Sequence, residues 1–98
     1  MPKGYWIPHL DVSNPEGYKA YMAAAPAAHD KFDCRLLVRG GRSEMVEGKM
    51  RSRNVLREFN SYDEALACYR SPDYQAAAAL RKGKGEFDLI INDGYGGQ

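Results

Sequence analysis

Apolar and polar residues alternate along four stretches of the chain, and two further stretches carry apolar residues at helical spacing. Tyr5 to Val12 reads as a strand, rich in aromatic and branched residues and closed by the breaker run Ser13-Asn14-Pro15. Asn14 suits an N-cap, Pro15 the first helical position and Glu16 the positive helix end. Tyr18, Tyr21, Met22 and Ala25 then recur at i, i+3, i+4 and i+7, one face of a helix. Pro26 has no N–H for the Met22 carbonyl, which predicts a kink or restart with a short continuation from Ala27 to Lys31. Cys34 to Arg39 forms a second strand, Gly40-Gly41 a hairpin turn, Ser43 to Gly48 a short edge segment and Arg53 to Phe59 a third strand. Ser61 with Glu64 makes a capping box for a helix through Ala65, Leu66 and Tyr69. Ser71-Pro72 interrupts it, Ser71 caps a second piece reaching about Lys82, and Gly83 ends that piece. Glu86 to Asp93 is the last strand. The expected layout is one domain over residues 1–98, with a core from about 4 to 94 and a flexible tail at 95–98.

The order β-α-β-β-α-β predicts an α+β, ferredoxin-like fold, a four-stranded antiparallel sheet with helices on one face. Alternate strand residues point to opposite faces. One set is Trp6, Pro8, Leu10, Val12, Leu36, Val38, Val55, Phe59, Phe87, Leu89 and Ile91, with Arg57 as its exception. It is mostly apolar and belongs under the helices. The other set mixes Ile7, Leu37, Leu56 and Ile90 with His9, Asp11, Arg35, Arg39 and Glu58. A solvated face has no need of those aliphatic residues, and a dry core would not take those charges unpaired. A half-buried face that meets a second copy of itself satisfies both, so a homodimer through the sheet is expected.

Composition narrows the function classes. In 98 residues, 14 Lys+Arg face 13 Asp+Glu, and no basic block or RNA-binding aromatic strand stands out, so a nucleic-acid partner is not expected. The longest apolar stretch, Met22 to Ala28, contains Pro26 and falls far short of the roughly 20 residues a membrane span needs. Met1-Pro2-Lys3-Gly4 leads straight into a strand without a signal peptide. Cys34 and Cys68 are far apart and lack metal-ligand spacing, which fits reduced thiols in a cytoplasmic protein.

The blocks Gly4-Tyr5-Trp6-Ile7, Asp11-Val12, Pro15-Glu16-Gly17-Tyr18-Lys19-Ala20-Tyr21, Leu37-Val38-Arg39-Gly40-Gly41, Glu47-Gly48, Glu58-Phe59 and Tyr69-Arg70-Ser71-Pro72-Asp73-Tyr74-Gln75-Ala76-Ala77 together resemble a bacterial family of uncharacterised proteins. That family is domain of unknown function 1330, within the dimeric α/β-barrel superfamily. The resemblance spans Gly4 to about Gly94. It implies a ferredoxin-like protomer whose sheet packs on that of a partner, and it implies no reaction. Relatives in the superfamily include cofactor-free monooxygenases, haem-degrading enzymes and small isomerases. His29, Asp33-Cys34 and Arg57 depart from the residue types expected at their positions.

Candidate chemistry falls into two groups. His9 and Asp11 share a strand face at i, i+2, and Arg39 and Glu58 belong to the same parity set. A histidine beside a carboxylate is an acid–base pair usable near neutral pH, and an arginine holds an anionic ligand. Asp11, Arg39 and Glu58 are expected to converge on one half-buried patch with His9 at its edge. The opposing reading of the same residues is an ion-pair network at a dimer seam. The second group is Tyr18, Tyr21, Tyr69 and Tyr74 with His29, which would wall a pocket for a small aromatic molecule or simply pack the core. Two histidines without paired spacing predict no metal site, and Gly40-Gly41 joins strand to strand without the helix or Lys-Ser/Thr of a phosphate loop. No cofactor is expected. Two functions remain in competition: binding or transforming a small organic molecule without a cofactor, and a non-catalytic dimeric module whose charges only stabilise the dimer.

Overall fold

The computed structural model describes residues 2–96. Gly97 and Gln98, part of the expected flexible tail, lie outside the described residues. The elements are β1 (Gly4–Val12), α1 (Pro15–Asp30), β2 (Arg35–Arg39), β3 (Arg53–Phe59), α2 (Tyr62–Arg70), α3 (Pro72–Ala79) and β4 (Gly85–Asp93). The strands form one antiparallel sheet in the order β2-β3-β1-β4, so β1 and β3 are central. This is the expected α+β, ferredoxin-like arrangement.

Local signals set most boundaries. Asn14 Oδ1 accepts from the Gly17 N–H at 3.0 Å, and Ser61 Oγ from the Glu64 N–H at 3.1 Å, each supplying a helix start with a missing acceptor. Ser71 closes α2 and opens α3: its hydroxyl donates to the Cys68 carbonyl and accepts from the Tyr74 N–H. Pro26 does not break α1, which is helical from Pro15 to Asp30. Only one backbone hydrogen bond is lost at a proline, and the buried Ala25, Ala28 and His29 tie both sides of it to the core.

Pro8 sits in a central strand, where a missing N–H matters. β1 pairs with β4 along its whole length, but its ladder with β3 is interrupted at Ile7 and Pro8. The register on either side of the gap is the same, so the interruption leaves both faces of β1 in phase.

Two expectations fail between β2 and β3. Ser43 to Gly48 is not a strand: Gly40 and Gly41, both with positive φ, open an irregular loop that runs to Ser52. More consequentially, the β2–β3 register shifts between Leu36 and Val38. Leu36 pairs with Arg57, but Val38 pairs with Leu56 and Arg39 with Val55. Directly paired residues share a face, so the extra residue moves Val38 to the open face and Arg39 to the helix face. The alternation read from the sequence put them the other way round, because one inserted residue reverses everything beyond it.

The core lies between the sheet and the helices. Trp6 is its centre, ringed by His29, Phe59, Tyr69 and Tyr74 at centroid distances of 4.8–5.9 Å. The indole N–H donates to the Ala65 carbonyl at 2.9 Å, which ties β1 to α2 and satisfies the one polar atom of that side chain.

Candidate functional site

Beside that core the helices and sheet do not close, and a cavity of about 340 Å³ remains. Its floor is the helix face of the sheet, including Pro8, Leu10, Val55 and Leu89. Its roof is α1, through Tyr18, Tyr21, Met22 and His29, with Tyr74 from α3. Alanines dominate the rest of both helices, and their short side chains leave space that leucines would have filled. The helical spacing that placed Tyr18 and Tyr21 on one face therefore placed them on the cavity.

Four arginines line this cavity: Arg39 from β2, Arg53 and Arg57 from β3, and Arg81 after α3. Arg53, Arg57 and Arg81 are half-buried and Arg39 is exposed. Among the described residues none of the four makes an ion pair with a carboxylate. Arg81 lies over the rings of Phe87 and Tyr21, 4.6 and 5.4 Å from their centroids, and contacts the Tyr74 hydroxyl at 3.5 Å. Arg57 points its guanidinium at the Cys34 sulfur, 3.8 Å away. Burial pushes the Tyr18 phenol up, and the charges of Arg53, Arg81 and Arg57 act against that rise, so three of the guanidiniums act on one hydroxyl. Tyr21 and Tyr74 share a hydroxyl–hydroxyl hydrogen bond of 2.8 Å; burial, then Tyr74, drives the Tyr21 phenol well above its ordinary range.

His29 is 2% exposed. Its Nδ1 lies 2.9 Å from the Ala25 carbonyl, which can only accept, so Nδ1 carries the hydrogen and Nε2 presents a lone pair. Nε2 has no hydrogen-bond partner among the described residues. Burial, with the charge of Arg57 adding to it, pushes His29 down to about 4, so the ring is neutral near pH 7. Burial pushes both thiols up, Cys68 to about 12, and neither is a thiolate at neutral pH.

The residues expected to form one charged patch do not meet. Glu58 pairs with Tyr5 near the start of β1, whereas Asp11 lies at the other end of that strand beside Glu86. Glu58 accepts from Tyr5 Oη at 2.9 Å and from Arg35 Nε at 2.7 Å; Arg35, then Tyr5, holds its carboxyl below the usual range. Asp11 accepts from the Ser52 N–H at 2.8 Å and the Ser52 hydroxyl at 2.7 Å, with Arg51 at 3.3 Å; Ser52, then Arg51, holds it low. Arg51 also binds Asp88 and Glu86, at 2.7 and 3.0 Å. His9 lies across from Asp88, at the edge of the Asp11–Arg51 cluster, with Nδ1 2.5 Å from Asn54 Oδ1. Arg39 is on the opposite face. Parity along a strand says which side a residue faces but not how far apart two residues lie along it.

Of the aromatic candidates, Tyr18, Tyr21, Tyr74 and His29 line the cavity, while Tyr69 packs behind it against Trp6 and Tyr74. Arg53 and Arg81 were missed from the sequence. Arg53 shares its parity with Val55 and Arg57, so its face was legible; Arg81 follows the last helical turn, and only the packing of that turn over Phe87 brings it in.

The fold and this cavity define a class: ferredoxin-like α+β protomers with an open space between the helices and one face of the sheet. The chain belongs to the family described as "Domain of unknown function (DUF1330)", whose model matches residues 3–95. Solved structures share the fold. A protein of unknown function from Rhodopseudomonas palustris is similar at a TM-score of 0.77 and 15% identity, over 96% of this chain and 83% of that one. SnoaB, a cofactor-independent oxygenase from Streptomyces nogalater, is similar at a TM-score of 0.63 and 8% identity, over 94% of this chain and 92% of that one. A Bacteroides fragilis protein of unknown function, described as dimeric and ferredoxin-like, is similar at 0.55 and 14%, over 93% and 95%. At these identities the likeness is one of fold. No curated protein matches the chain.

Proposed function

We propose that this protein binds or transforms a small organic molecule, without a cofactor, in the cavity between α1, α3 and the sheet, and that it does so as a homodimer joined through the open sheet face. The observation that carries the reading is the cavity itself. It has the size of a small-molecule site, mostly apolar and aromatic walls, and a few polar groups turned inward. The cofactor-independent oxygenase from Streptomyces nogalater is a fold neighbour, which makes such chemistry compatible with the architecture and no more than that. For the dimer, the support is the open face: Val38 and Ile90 are 40% and 56% exposed on the side of the sheet that also carries Ile7 and Leu56. The dimeric Bacteroides fragilis neighbour points the same way.

The test is a nuclear magnetic resonance titration of the protein with a library of small organic acids, phenols and ketones. Shifts should concentrate on Tyr18, Tyr21, His29 and Tyr74. A library that moves no residue of the cavity overturns the reading.

The charged candidates favour a different role for part of the expected set. Asp11 and Glu58 are each held by an arginine and by further donors on the open face. We assign them, with His9, to stabilising the dimer seam. Loss of catalysis or ligand binding in Asp11→Asn or Glu58→Gln, at unchanged dimer affinity, would overturn that assignment.

A further inference from the structure

The cavity combines three features that select a ligand more narrowly than its volume does. The first is charge. Four arginines line it, and Asp30, exposed at its wall, is the one carboxylate among the described lining residues. A guanidinium half-removed from water without an anion is a costly arrangement that a bound anion relieves, and its planar fork suits carboxylates and enolates. The second is shape and surface. Tyr18 stacks on Phe87 with planes 14° apart, Tyr21 and Tyr74 stand edge to face, and all four line the cavity, so its wall is an aromatic surface suited to a flat body. The third is His29. It is fully buried, lines the cavity, and has an Nε2 with no partner among the described residues. With its other nitrogen committed as a donor to Ala25, Nε2 only accepts. It therefore asks for a hydroxyl or N–H from the ligand, and it cannot itself hold the anion.

We propose that the ligand of this cavity is a flat, unsaturated organic anion whose charge is met by the arginines and which brings one hydroxyl or N–H donor to His29 Nε2. The proposal rests on the cavity being the binding site. Arg57 is central to it. It pairs with Trp6 at the centre of the sheet, lines the cavity with His29, and has a guanidinium with no carboxylate partner among the described residues, only the Cys34 sulfur at 3.8 Å.

Three related probes test it: 6-hydroxy-2-naphthoate, 2-naphthoate and methyl 6-hydroxy-2-naphthoate, titrated calorimetrically near neutral pH. The hydroxy acid should bind roughly tenfold or more tighter than the ester, the worth of a hydrogen bond to a charged group. It should bind about threefold to tenfold tighter than 2-naphthoate, the worth of one neutral hydrogen bond. In His29→Leu the hydroxyl should add nothing while the acid-over-ester preference stays. In Arg57→Met that preference should shrink while the hydroxyl still counts. Inorganic phosphate at matched ionic strength should not compete. Equal binding of acid and ester, or full competition by phosphate, overturns the organic anion while leaving the cavity as a site. An unchanged hydroxyl effect in His29→Leu overturns the role of Nε2. No binding by any of the three probes, with no shift of the Tyr18 or His29 resonances, overturns the site and this inference with it. The three-probe comparison needs only the wild-type chain, so a variant that fails to fold does not remove the test.

Discussion

The two faces of the sheet carry arginines in nearly opposite states. On the open face, Arg35 is bonded to Glu58, and Arg51 gathers Asp11, Glu86 and Asp88. On the helix side, Arg39, Arg53 and Arg57 of the sheet and Arg81 after α3 have no carboxylate partner among the described residues, although three of them are half-buried. Solvent access would suggest the reverse, since charges nearer a core are the ones that most need partners. Charges that hold a fold together find their counter-charges within the chain. Charges that the fold leaves uncompensated beside a cavity break a local rule, and such breaches gather at functional sites. The difference between the faces, and not the number of charges on either, is what sets the proposed seam apart from the proposed site.

Breaking the core under the helix face should have the largest effect. Trp6→Ala removes the ring at the centre of the aromatic cluster and orphans the Ala65 carbonyl, and should cost about 3–5 kcal/mol in urea unfolding. A loss below 1 kcal/mol would mean that the cavity extends through the core.

On the open face, Ile7→Asp with Leu56→Asp should divide the proposed homodimer and leave the fold intact. Each buried aliphatic side chain is worth about 1.5–3 kcal/mol, and two-fold symmetry doubles each change. Sedimentation should give the 11.0 kDa chain mass in place of twice that value. An unchanged mass would show that this face is not the seam.

The neutral state of His29 should appear as acid lability. Its pKa is lowered from 6.5 to about 4 by burial and by Arg57, so the unfolded chain takes up a proton first as pH falls. The contribution is complete above pH 6.5, declines between 6.5 and 4, and is lost below that. The total is on the order of 3 kcal/mol. His29→Leu should flatten stability across this window, and a wild-type-like slope in the variant would assign the lability to other groups.

Removing charge should sharpen the contrast at the small end of the scale. Arg57→Met should leave stability unchanged or raise it by up to about 1 kcal/mol, as expected where a site carries an uncompensated charge. Arg35→Met should lower stability, because Glu58 then loses its cation. Arg39→Met, at an exposed position, should stay within about 0.5 kcal/mol of wild type. A large loss there would restore the charged patch that strand parity suggested.

The element order, the capping residues Asn14, Ser61 and Ser71, and the Trp6–Leu10 face of β1 were all legible in the sequence, because each depends on residues a few positions apart. The tyrosines and His29 were legible as pocket candidates for the same reason, since helical spacing alone puts Tyr18, Tyr21 and His29 on the inner side of α1. Three things were decided only by tertiary structure. A single inserted residue at Leu37 carried Arg39 from one face to the other, and nothing local marks where a register shifts. Strand pairing set Asp11 and Glu58 at opposite ends of β1, a distance that parity does not encode. The packing of the turn after α3 over Phe87 brought Arg81 to the cavity beside Arg53 and Arg57. Sequence patterns carry the period of an element and therefore its faces, whereas which charges meet depends on register and packing between elements far apart in the chain.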